Sequence, residues 1–598
     1  MRRLWLVFAA GLAAVSPVWA QQPANSSGRP NIVIILADDW GFTDVGAFGG
    51  EIATPHLDAL ALEGVRFANF HVAGSCSPTR AMLQTGVRSH RAGVGNMPET
   101  IPPQHRGQPG YGTTLNTRVL TLAQRLEAAG YYNVLVGKWH LGMDPADQPR
   151  ARGYHRALAL LQSGADNFEN KPIHVLYNEV KWTEDSQPVV LPAPFYSSTL
   201  IVDKTIAYLD DPARRGRPFY ASINFLANHI PIQAPDADLA RYAGRYREGW
   251  DALRQARARG AAARGLLAPE PAMVRMKSTA DWAALTPAEQ TQRAGAMAAH
   301  AAMATAMDRE VGRLIAALKA RGEYDNTIFV FLSDNGPEPS DPVNLGTFER
   351  MNVEAFYDLR VERQGRPGSL TVIGAGFASA LAAPFRGYKF TASEGGLRVP
   401  LIVAWPGNPQ LQAGRIARGL AHVTDIAPTL LALTGAAGAP TPARAEPITG
   451  KDLSPMLTGA AETVRAPDEP LGYELSGNAA LFEGDYKLVR NLPPYGDGQW
   501  HLYDIVRDPG ETTDLAAREP QLFAAMQAKY AAYAKADGVL AMPAGYSAPD
   551  QIIAYATAEL LVPRLLMLWP YALGLALALV GGAWLWRRRR RTARRIAP

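Results

Sequence analysis

The 598-residue chain contains a single cysteine, Cys76, and only a small surplus of charge. One cysteine cannot form a disulfide within its own chain, so no disulfide framework stabilises this fold. The formal net charge is +5, and seven arginines at positions 587–591, 594 and 595 more than account for it. The rest of the chain has no basic surplus, and we therefore expect no nucleic-acid partner.

Long apolar runs are also scarce, and we find them only near the two ends of the sequence. The first run, Leu4–Val15, follows two arginines and precedes small residues that end at Ala20. This pattern predicts a cleaved signal peptide over residues 1–20. The alternative interpretation, a first transmembrane helix, requires a longer run.

The second apolar run covers residues 565–586, carries no charge and has tryptophan or tyrosine near both ends. These features predict one C-terminal transmembrane helix. The arginine-rich segment 587–598 follows at once, and the positive-inside rule predicts that it is a cytoplasmic tail. A nucleic-acid-binding patch is the alternative, but its position beside an apolar segment favours a topological role. We therefore expect an exported, extracytoplasmic (periplasmic) body anchored in the inner membrane by a single helix.

Between these ends, apolar strands alternate with helical segments. The run "NIVIILA" (31–37) is rich in β-branched residues, as is typical of a strand buried on both faces. The segments "TLAQRLEAAG" and "AAMATAMDREVGRLIAALKARG" read as helices, and the strands "YYNVLVG" and "TIFVFLS" follow them. This order predicts an α/β fold with a large mixed, mostly parallel sheet flanked by helices.

The pattern of predicted strands and helices changes after a loop rich in proline and alanine at 435–447. Beyond it, "YKLVRN" and "WHLYDIV" read as short strands, and "EPQLFAAMQAKYAAYAKADG" reads as one helix. We therefore predict a main α/β domain over residues 21–449 and a smaller C-terminal α+β domain over residues 450–545. Residues 546–564 are predicted to link this domain to the transmembrane helix.

Carboxylates follow two of the predicted strands at the point where each strand ends. Asp38 and Asp39 come directly after the first strand, and Asp334 and Asn335 follow "TIFVFLS". Adjacent buried carboxylates repel each other, so burial is costly without a counter-charge. Three carboxylates and one amide oxygen suit a hard divalent cation, Ca²⁺ or Mg²⁺. An Asp-Asn-Gly run alone is more typical of a turn, but two such pairs at strand ends favour a metal site.

Basic side chains lie at further strand ends. Lys138 and His140 occur in "VLVGKWHLG", and His229 occurs in "NFLANHIPIQAP". Histidines placed beside a metal site are candidates for acid–base catalysis. Lys389 precedes the glycine-rich turn of "FRGYKFTASEGGLRVP", which suits an anion, although a solvated lysine is the simpler interpretation of that segment alone.

The sequence motif around Cys76 connects these observations. The sequence "CSPTR" followed by "AMLQTG" has the form Cys-x-Pro-x-Arg and resembles the signature of the sulfatase family. The other segments similar to that family occur in the same order: "ADDWG", "GKWHLG", "NHIPIQAP", "SDNG", "GYKFTASEGGLRVP" and "HLYDIVRDPGETTDLA". The resemblance extends from about Asn31 to Val539. A free cysteine is often a small buried apolar residue, but six ordered matches favour the functional interpretation.

The resemblance implies that the chain hydrolyses sulfate esters, such as aryl sulfates, to an alcohol or phenol and sulfate. Cys76 would be oxidised to formylglycine (3-oxoalanine) by a formylglycine-generating enzyme, and the hydrate of that aldehyde would be the nucleophile. The implied Ca²⁺ or Mg²⁺ ligands are Asp38, Asp39, Cys76, Asp334 and Asn335. The implied catalytic residues are Cys76, Arg80, Lys138, His140, His229 and Lys389.

Two alternatives stay open at this point. Phosphonate monoester and phosphodiester hydrolases of the same superfamily use the same modified cysteine. The residues of this sequence do not distinguish those hydrolases decisively from sulfatases. The other alternative is an inactive, membrane-tethered protein that binds sulfate esters. Such a protein is expected to have lost its nucleophile or a metal ligand, and this sequence retains all of them.

Overall fold

The computed structural model describes residues 28–342, 347–438 and 441–594. The predicted signal peptide, residues 1–20, and the last four residues of the predicted tail lie outside the described residues. In chain order the strands are β1 (Asn31–Ala37), β2 (Gly64–Phe67), β3 (Phe70–His71), β4 (Tyr132–Lys138), β5 (Arg156–Leu160), β6 (Trp182–Glu184), β7 (Gln187–Pro188), β8 (Phe219–Asn224), β9 (Thr327–Ser333), β10 (Leu401–Ala404), β11 (Ile416–Ala417), β12 (Ala421–His422), β13 (Leu471–Leu475), β14 (Asn478–Glu483), β15 (Tyr486–Arg490) and β16 (Trp500–Asp504).

The α-helices flank these strands. They are α1 (Pro55–Glu63), α2 (Cys76–Thr85), α3 (Ser89–Ala92), α4 (Leu122–Ala128), α5 (Ser197–Leu209), α6 (Asp236–Tyr242), α7 (Gly249–Ala263), α8 (Pro287–Ala320), α9 (Thr347–Glu354), α10 (Gly374–Leu381), α11 (Glu394–Leu397), α12 (Ile426–Leu433), α13 (Ser454–Thr458), α14 (Pro520–Asp537), α15 (Ala548–Ala556) and α16 (Val562–Arg594).

Ten of the strands form one mixed sheet in the order β11-β2-β10-β9-β1-β8-β4-β5-β6-β7. The five central strands, β9-β1-β8-β4-β5, are parallel, whereas β10 and β6 pair antiparallel with their neighbours. The predicted α/β class with a large mixed sheet is confirmed. Five parallel strands form its centre, antiparallel pairings lie on both sides of them, and the edge strand β11 pairs parallel with β2.

The sheet is covered on both faces, which explains the apolar character of β1. Val33 and Ile35 point into one core, which includes Met303 of α8. Ile34 and Leu36 point into the other core, on the α2 and α12 side of the sheet. Successive side chains of a strand point to opposite faces, so a strand buried on both faces is apolar at every position.

The C-terminal part forms an antiparallel sheet in the order β13-β14-β15-β16, and α14 packs against it. Leu481, Leu488 and Leu502 of the sheet and Met526 and Tyr530 of the helix share one apolar cluster. Strands β15 and β16 and helix α14 lie where the sequence predicts them. The sheet and helix agree in type with the predicted α+β character of residues 450–545.

The segment predicted as a linker, residues 546–564, is largely helical rather than an extended tether. It contains α15, one turn of π-helix (Thr557–Leu561) and the first residues of α16. Within the described residues, one helix, Leu566–Arg589, is long and apolar enough to cross a membrane, with a mean hydropathy of 1.7. The prediction that residues 546–564 link the C-terminal domain to the apolar helix specified no secondary structure for them.

Candidate active site

The residues predicted from separate segments meet at one edge of the sheet. Parallel strands β9, β1, β8 and β4 are neighbours, so their carboxyl ends lie side by side. The register pairs Ala37 of β1 with Ser333 of β9, which brings Asp38 beside Asp334. Lys138 ends β4, and the loop after β8 carries His229.

Three carboxylates and the cysteine form the centre of this site. Ligand atoms of Asp38, Asp39, Cys76 and Asp334 all lie within 4.8 Å of one another, and all four side chains are buried. Three buried oxygens at this point, Asp38 Oδ1, Asp39 Oδ2 and Asn335 Oδ1, have no hydrogen-bond partner among the described residues. Unpaired buried oxygens are costly, and a hard cation satisfies them. The donor set therefore fits Ca²⁺ or Mg²⁺.

Three cationic side chains surround the carboxylates. The Lys138 ammonium lies 2.6 Å from Asp38 Oδ2, and the Arg80 guanidinium lies 2.7 Å from Asp334 Oδ2. The Lys389 ammonium lies 2.7 Å from Asp39 Oδ1. Burial and the neighbouring Asp334 nevertheless raise the pKa of Asp38 to about 7. Burial thus disfavours the charged form of Asp38 even beside these cations, and a bound metal ion would favour that form.

Cys76 is the first residue of α2, so the positive end of the helix dipole faces the site. Its side chain is fully buried and shares an apolar cluster with Met97 and Phe390, called here the Cys76 cluster. Burial raises the pKa of the Cys76 thiol to about 12, although Lys138 acts in the opposite direction. Catalytic cysteines work as thiolates with a lowered pKa. Without a bound cation, burial therefore disfavours the thiolate form of unmodified Cys76.

Two buried histidines, His140 and His229, belong to this centre. His229 Nδ1 lies 2.8 Å from the carbonyl oxygen of Ile230, so Nδ1 carries a hydrogen. His229 Nε2 then faces the site, 4.0 Å from Asp39 Oδ2. Neither ring nitrogen of His140 has a hydrogen-bond partner in the described part of the chain. Burial, followed by Lys138, lowers the pKa of both imidazoles well below its usual value.

The backbone around the centre is held in uncommon conformations. Asp39 and His140 have φ values of 65° and 57°, in the left-handed region that L-residues rarely adopt. Such residues concentrate at functional sites, where the surrounding structure holds them in place. Gly336 of the "SDNG" segment is required for a different reason, because a Cβ there would lie 2.0 Å from the carbonyl oxygen of Gly395.

All predicted site residues therefore converge, and the structure adds three that the sequence reasoning missed. Glu338 Oε2 lies 2.8 Å from the Lys389 ammonium. Ser163 Oγ lies 3.3 Å from His229 Nε2, and the buried Glu99 accepts a hydrogen bond of 2.6 Å from the Tyr177 hydroxyl. Glu338 follows Asn335 closely and could have been suspected. Ser163 and Glu99 lie in loops with no local signal.

Comparison with known proteins agrees with this arrangement. The model of the family described as "Sulfatase" matches residues 30–436. An uncharacterized sulfatase of Schizosaccharomyces pombe is 36% identical over 549 residues, which cover 88% of this chain and 96% of that protein. An arylsulfatase of Klebsiella aerogenes is 34% identical over 437 residues, covering 71% of this chain and 90% of that protein.

Among solved structures, Ps i-CgsB in complex with a neocarrahexaose superposes with a TM-score of 0.60 at 24% identity. The match covers 84% of this chain and 92% of that one, and at this identity it supports the fold alone. The family match extends over most of the chain, and the arylsulfatase relative covers more than two thirds of it. The chain therefore belongs to the sulfatase family and is a sulfuric ester hydrolase.

Proposed function

We propose that the protein hydrolyses sulfate esters with residue 76, oxidised from cysteine to formylglycine, as the nucleophile and with a divalent cation at its side. The observation that carries this proposal is the convergence of Cys76 with Asp38, Asp39 and Asp334 within 4.8 Å. A nucleophile held among carboxylates needs a cation, and the unpaired oxygens of this site supply its ligands. The cation is Ca²⁺ or Mg²⁺, because all the side-chain ligands besides residue 76 are hard oxygens.

Formylglycine, as its hydrate, would supply one hydroxyl that attacks sulfur and displaces the alcohol or phenol, and a second whose deprotonation expels sulfate and restores the aldehyde; a bound cation would favour the ionised nucleophile. Conversion of Cys76 requires a formylglycine-generating enzyme as a maturation partner. The Cys-x-Pro-x-Arg signature and the position of Cys76 beside the carboxylates support this step.

The chain's own residues bind the sulfate group and manage the protons. Lys138 and Lys389 bring two positive charges to the position of the anionic sulfate. The His229 Nε2 atom faces the site and is suited, when protonated, to donate to the leaving oxygen. His140, whose ring nitrogens are unpaired among the described residues, is suited to accept the proton of the second hydroxyl.

Arg80 positions neighbouring residues and adds positive charge to the site. Its Nε donates to Asp334 Oδ2 at 2.9 Å, and a terminal nitrogen donates to the Lys138 carbonyl oxygen at 2.9 Å. Arg80 therefore holds Asp334 and the end of β4 in register while it adds positive charge beside residue 76.

The reaction is proposed to occur outside the cytoplasm, with the body anchored in the inner membrane. The predicted signal peptide over residues 1–20 and the apolar helix Leu566–Arg589 support this location. The arginines after residue 586 favour a cytoplasmic position for the C-terminus. The catalytic body then faces the periplasm.

The test is turnover of 4-nitrophenyl sulfate by the full chain, with residue 76 analysed by peptide mass spectrometry. We expect activity in proportion to the fraction of peptide that is lighter than the cysteine form, and Cys76→Ala should lose at least about 10⁴-fold in kcat. Protein produced without a maturation enzyme is the matched control, because it keeps the same sequence and unmodified Cys76. Full activity with unmodified Cys76 refutes the mechanism. Activity on a phosphonate monoester or phosphodiester alone refutes the substrate class.

A further inference from the structure

Helix α15, which precedes the membrane-spanning candidate, lies against the active site. Ile552, like Tyr495, is partly buried and packs against the Cys76 cluster. Just before the helix, the Tyr546 hydroxyl donates a hydrogen bond of 2.7 Å to the Thr100 carbonyl oxygen. A segment that the sequence presents as a tether is therefore part of the wall around residue 76.

A second line of contacts joins α15 to the catalytic residues. The helix packs on the turn Pro98–Thr100, which carries Glu99. The Tyr177 hydroxyl donates to Glu99 at 2.6 Å and accepts from the Ser163 backbone at 3.4 Å. Ser163 in turn contacts His229. The helix is thus linked to His229 through Glu99, Tyr177 and Ser163.

The start of α16 is fixed to the same rim. Arg564 Nε donates to Asn178 Oδ1 at 2.6 Å, and its guanidinium lies 5.1 Å from the centre of the Phe356 ring. Phe356 also stacks on His174, with ring centres 4.3 Å apart. Arg564 thereby holds the beginning of the apolar helix against the segments that carry Asn178 and Phe356.

Three apolar side chains beside this helical segment are exposed. Phe356 is 41% exposed, and Leu561 and Val562, which precede Arg564, are 36% and 45% exposed. From Ile552 to Leu566, where the membrane-spanning candidate begins, there are fourteen residues of nearly continuous helix. At about 1.5 Å per residue, the Cys76 cluster lies within about 21 Å of that point.

We propose that α15 is one wall of the substrate-binding site and that the natural substrates are amphiphilic sulfate esters. The sulfate group enters the catalytic centre, while an apolar chain lies along Ile552 and the exposed side chains near Phe356, towards the membrane. This inference rests on the proposed sulfatase reaction and on the proposed membrane anchor. It assigns α15 a function in substrate selection, beyond tethering the body.

The test is a series of primary alkyl sulfates of increasing chain length, assayed at concentrations below micelle formation with the full chain in phospholipid vesicles. Burial of one CH₂ group contributes about 0.8 kcal/mol, so kcat/KM should rise by up to about fourfold per CH₂ until the wall is covered. A small soluble ester, 4-nitrophenyl sulfate, reports the catalytic centre without the apolar wall.

Two neighbouring isoleucines provide a matched pair of variants. Ile552→Ala should lower kcat/KM for a decyl ester, through KM, by about fivefold more than it lowers kcat/KM for 4-nitrophenyl sulfate. Ile553→Ala is the control, because Ile553 is 48% exposed and lies outside the Cys76 cluster. If Ile552→Ala does not fold, Phe356→Ala at the exposed rim should give the same loss for long chains.

The outcomes separate the two proposals. No turnover of any sulfate ester by protein that carries formylglycine overturns the proposed function, and this inference with it. A different result is hydrolysis of 4-nitrophenyl sulfate with a kcat/KM for alkyl sulfates that does not depend on chain length. That result leaves the proposed reaction standing and overturns the inference. A rise with chain length that Ile552→Ala and Phe356→Ala leave intact also overturns it, since the chain would then bind elsewhere.

Discussion

Lys487 is the buried cation that joins the C-terminal sheet to the catalytic body. Its side chain is fully buried, and Nζ lies 2.8 Å from Glu394 Oε1 and 2.8 Å from Glu511 Oε1. Glu394 begins α11, directly after the loop that carries Lys389 to the site. Replacing Lys487 with methionine removes the charge and keeps an unbranched apolar stem of similar length.

The expected loss of stability follows from the partners that remain. Glu394 keeps His71 at 3.0 Å and Arg398 at 3.3 Å. Glu511 keeps the Glu394 backbone N–H, at 3.3 Å, as a donor but loses its closest cation. Breaking a buried ion pair by removing one partner costs about 3–5 kcal/mol. We therefore expect Lys487→Met to lower the free energy of unfolding by about that amount.

The penalty should depend on pH in a defined direction. Burial already raises the pKa of Glu511, and Lys487 acts against that rise. Without Lys487 the folded-state pKa rises further above the unfolded value, so the carboxyl group is more readily neutral in the folded protein. Stability is then retained at low pH and lost as pH rises through the folded-state pKa. The deficit of Lys487→Met should be larger near about pH 8 than near about pH 5.

Urea unfolding of the solubilised full chain, followed by tryptophan fluorescence, measures this effect. With a slope of about 3 kcal/mol/M, a loss of 3 kcal/mol lowers the midpoint by about 1 M. The matched control is Lys487→Met/Glu511→Gln, which removes the unpaired charge and should recover much of the loss. An unchanged midpoint in the single variant, or equal losses in the single and double variants, refutes the reasoning.

Two further predictions concern the site. Asp39→Asn should lose bound divalent cation, measured by elemental analysis of purified protein, because it removes one negative charge from the ligand set; metal content equal to that of the unaltered protein would contradict the assignment. His229→Gln should slow the hydrolysis of alkyl sulfates by about 10²–10⁴-fold and of 4-nitrophenyl sulfate far less, because a good leaving group needs little protonation. A leaving-group series with equal losses would exclude His229 as the general acid.

The sequence alone predicts much of the catalytic centre because its signals are local. An apolar strand that ends in Asp38 and Asp39, and another that ends in Asp334, can be recognised without knowledge of contacts. The parallel arrangement then implies that these ends share one edge, since helices alternate with the strands. The motif around Cys76 adds the resemblance to sulfatases, and the family match confirms it.

Contacts between segments distant in the chain are decided by tertiary packing alone. Ser163 and Glu99 lie in loops whose positions depend on the sheet beneath them, and Lys487 pairs with Glu394 only because two parts of the chain pack together. The placement of Ile552 on the Cys76 cluster is of the same kind. A sequence pattern records periodicity and composition along the chain, whereas the wall of a site depends on which surfaces are buried against each other. For this protein, the sequence by itself therefore predicts the catalytic chemistry. Only the tertiary structure determines which side chains surround the catalytic centre.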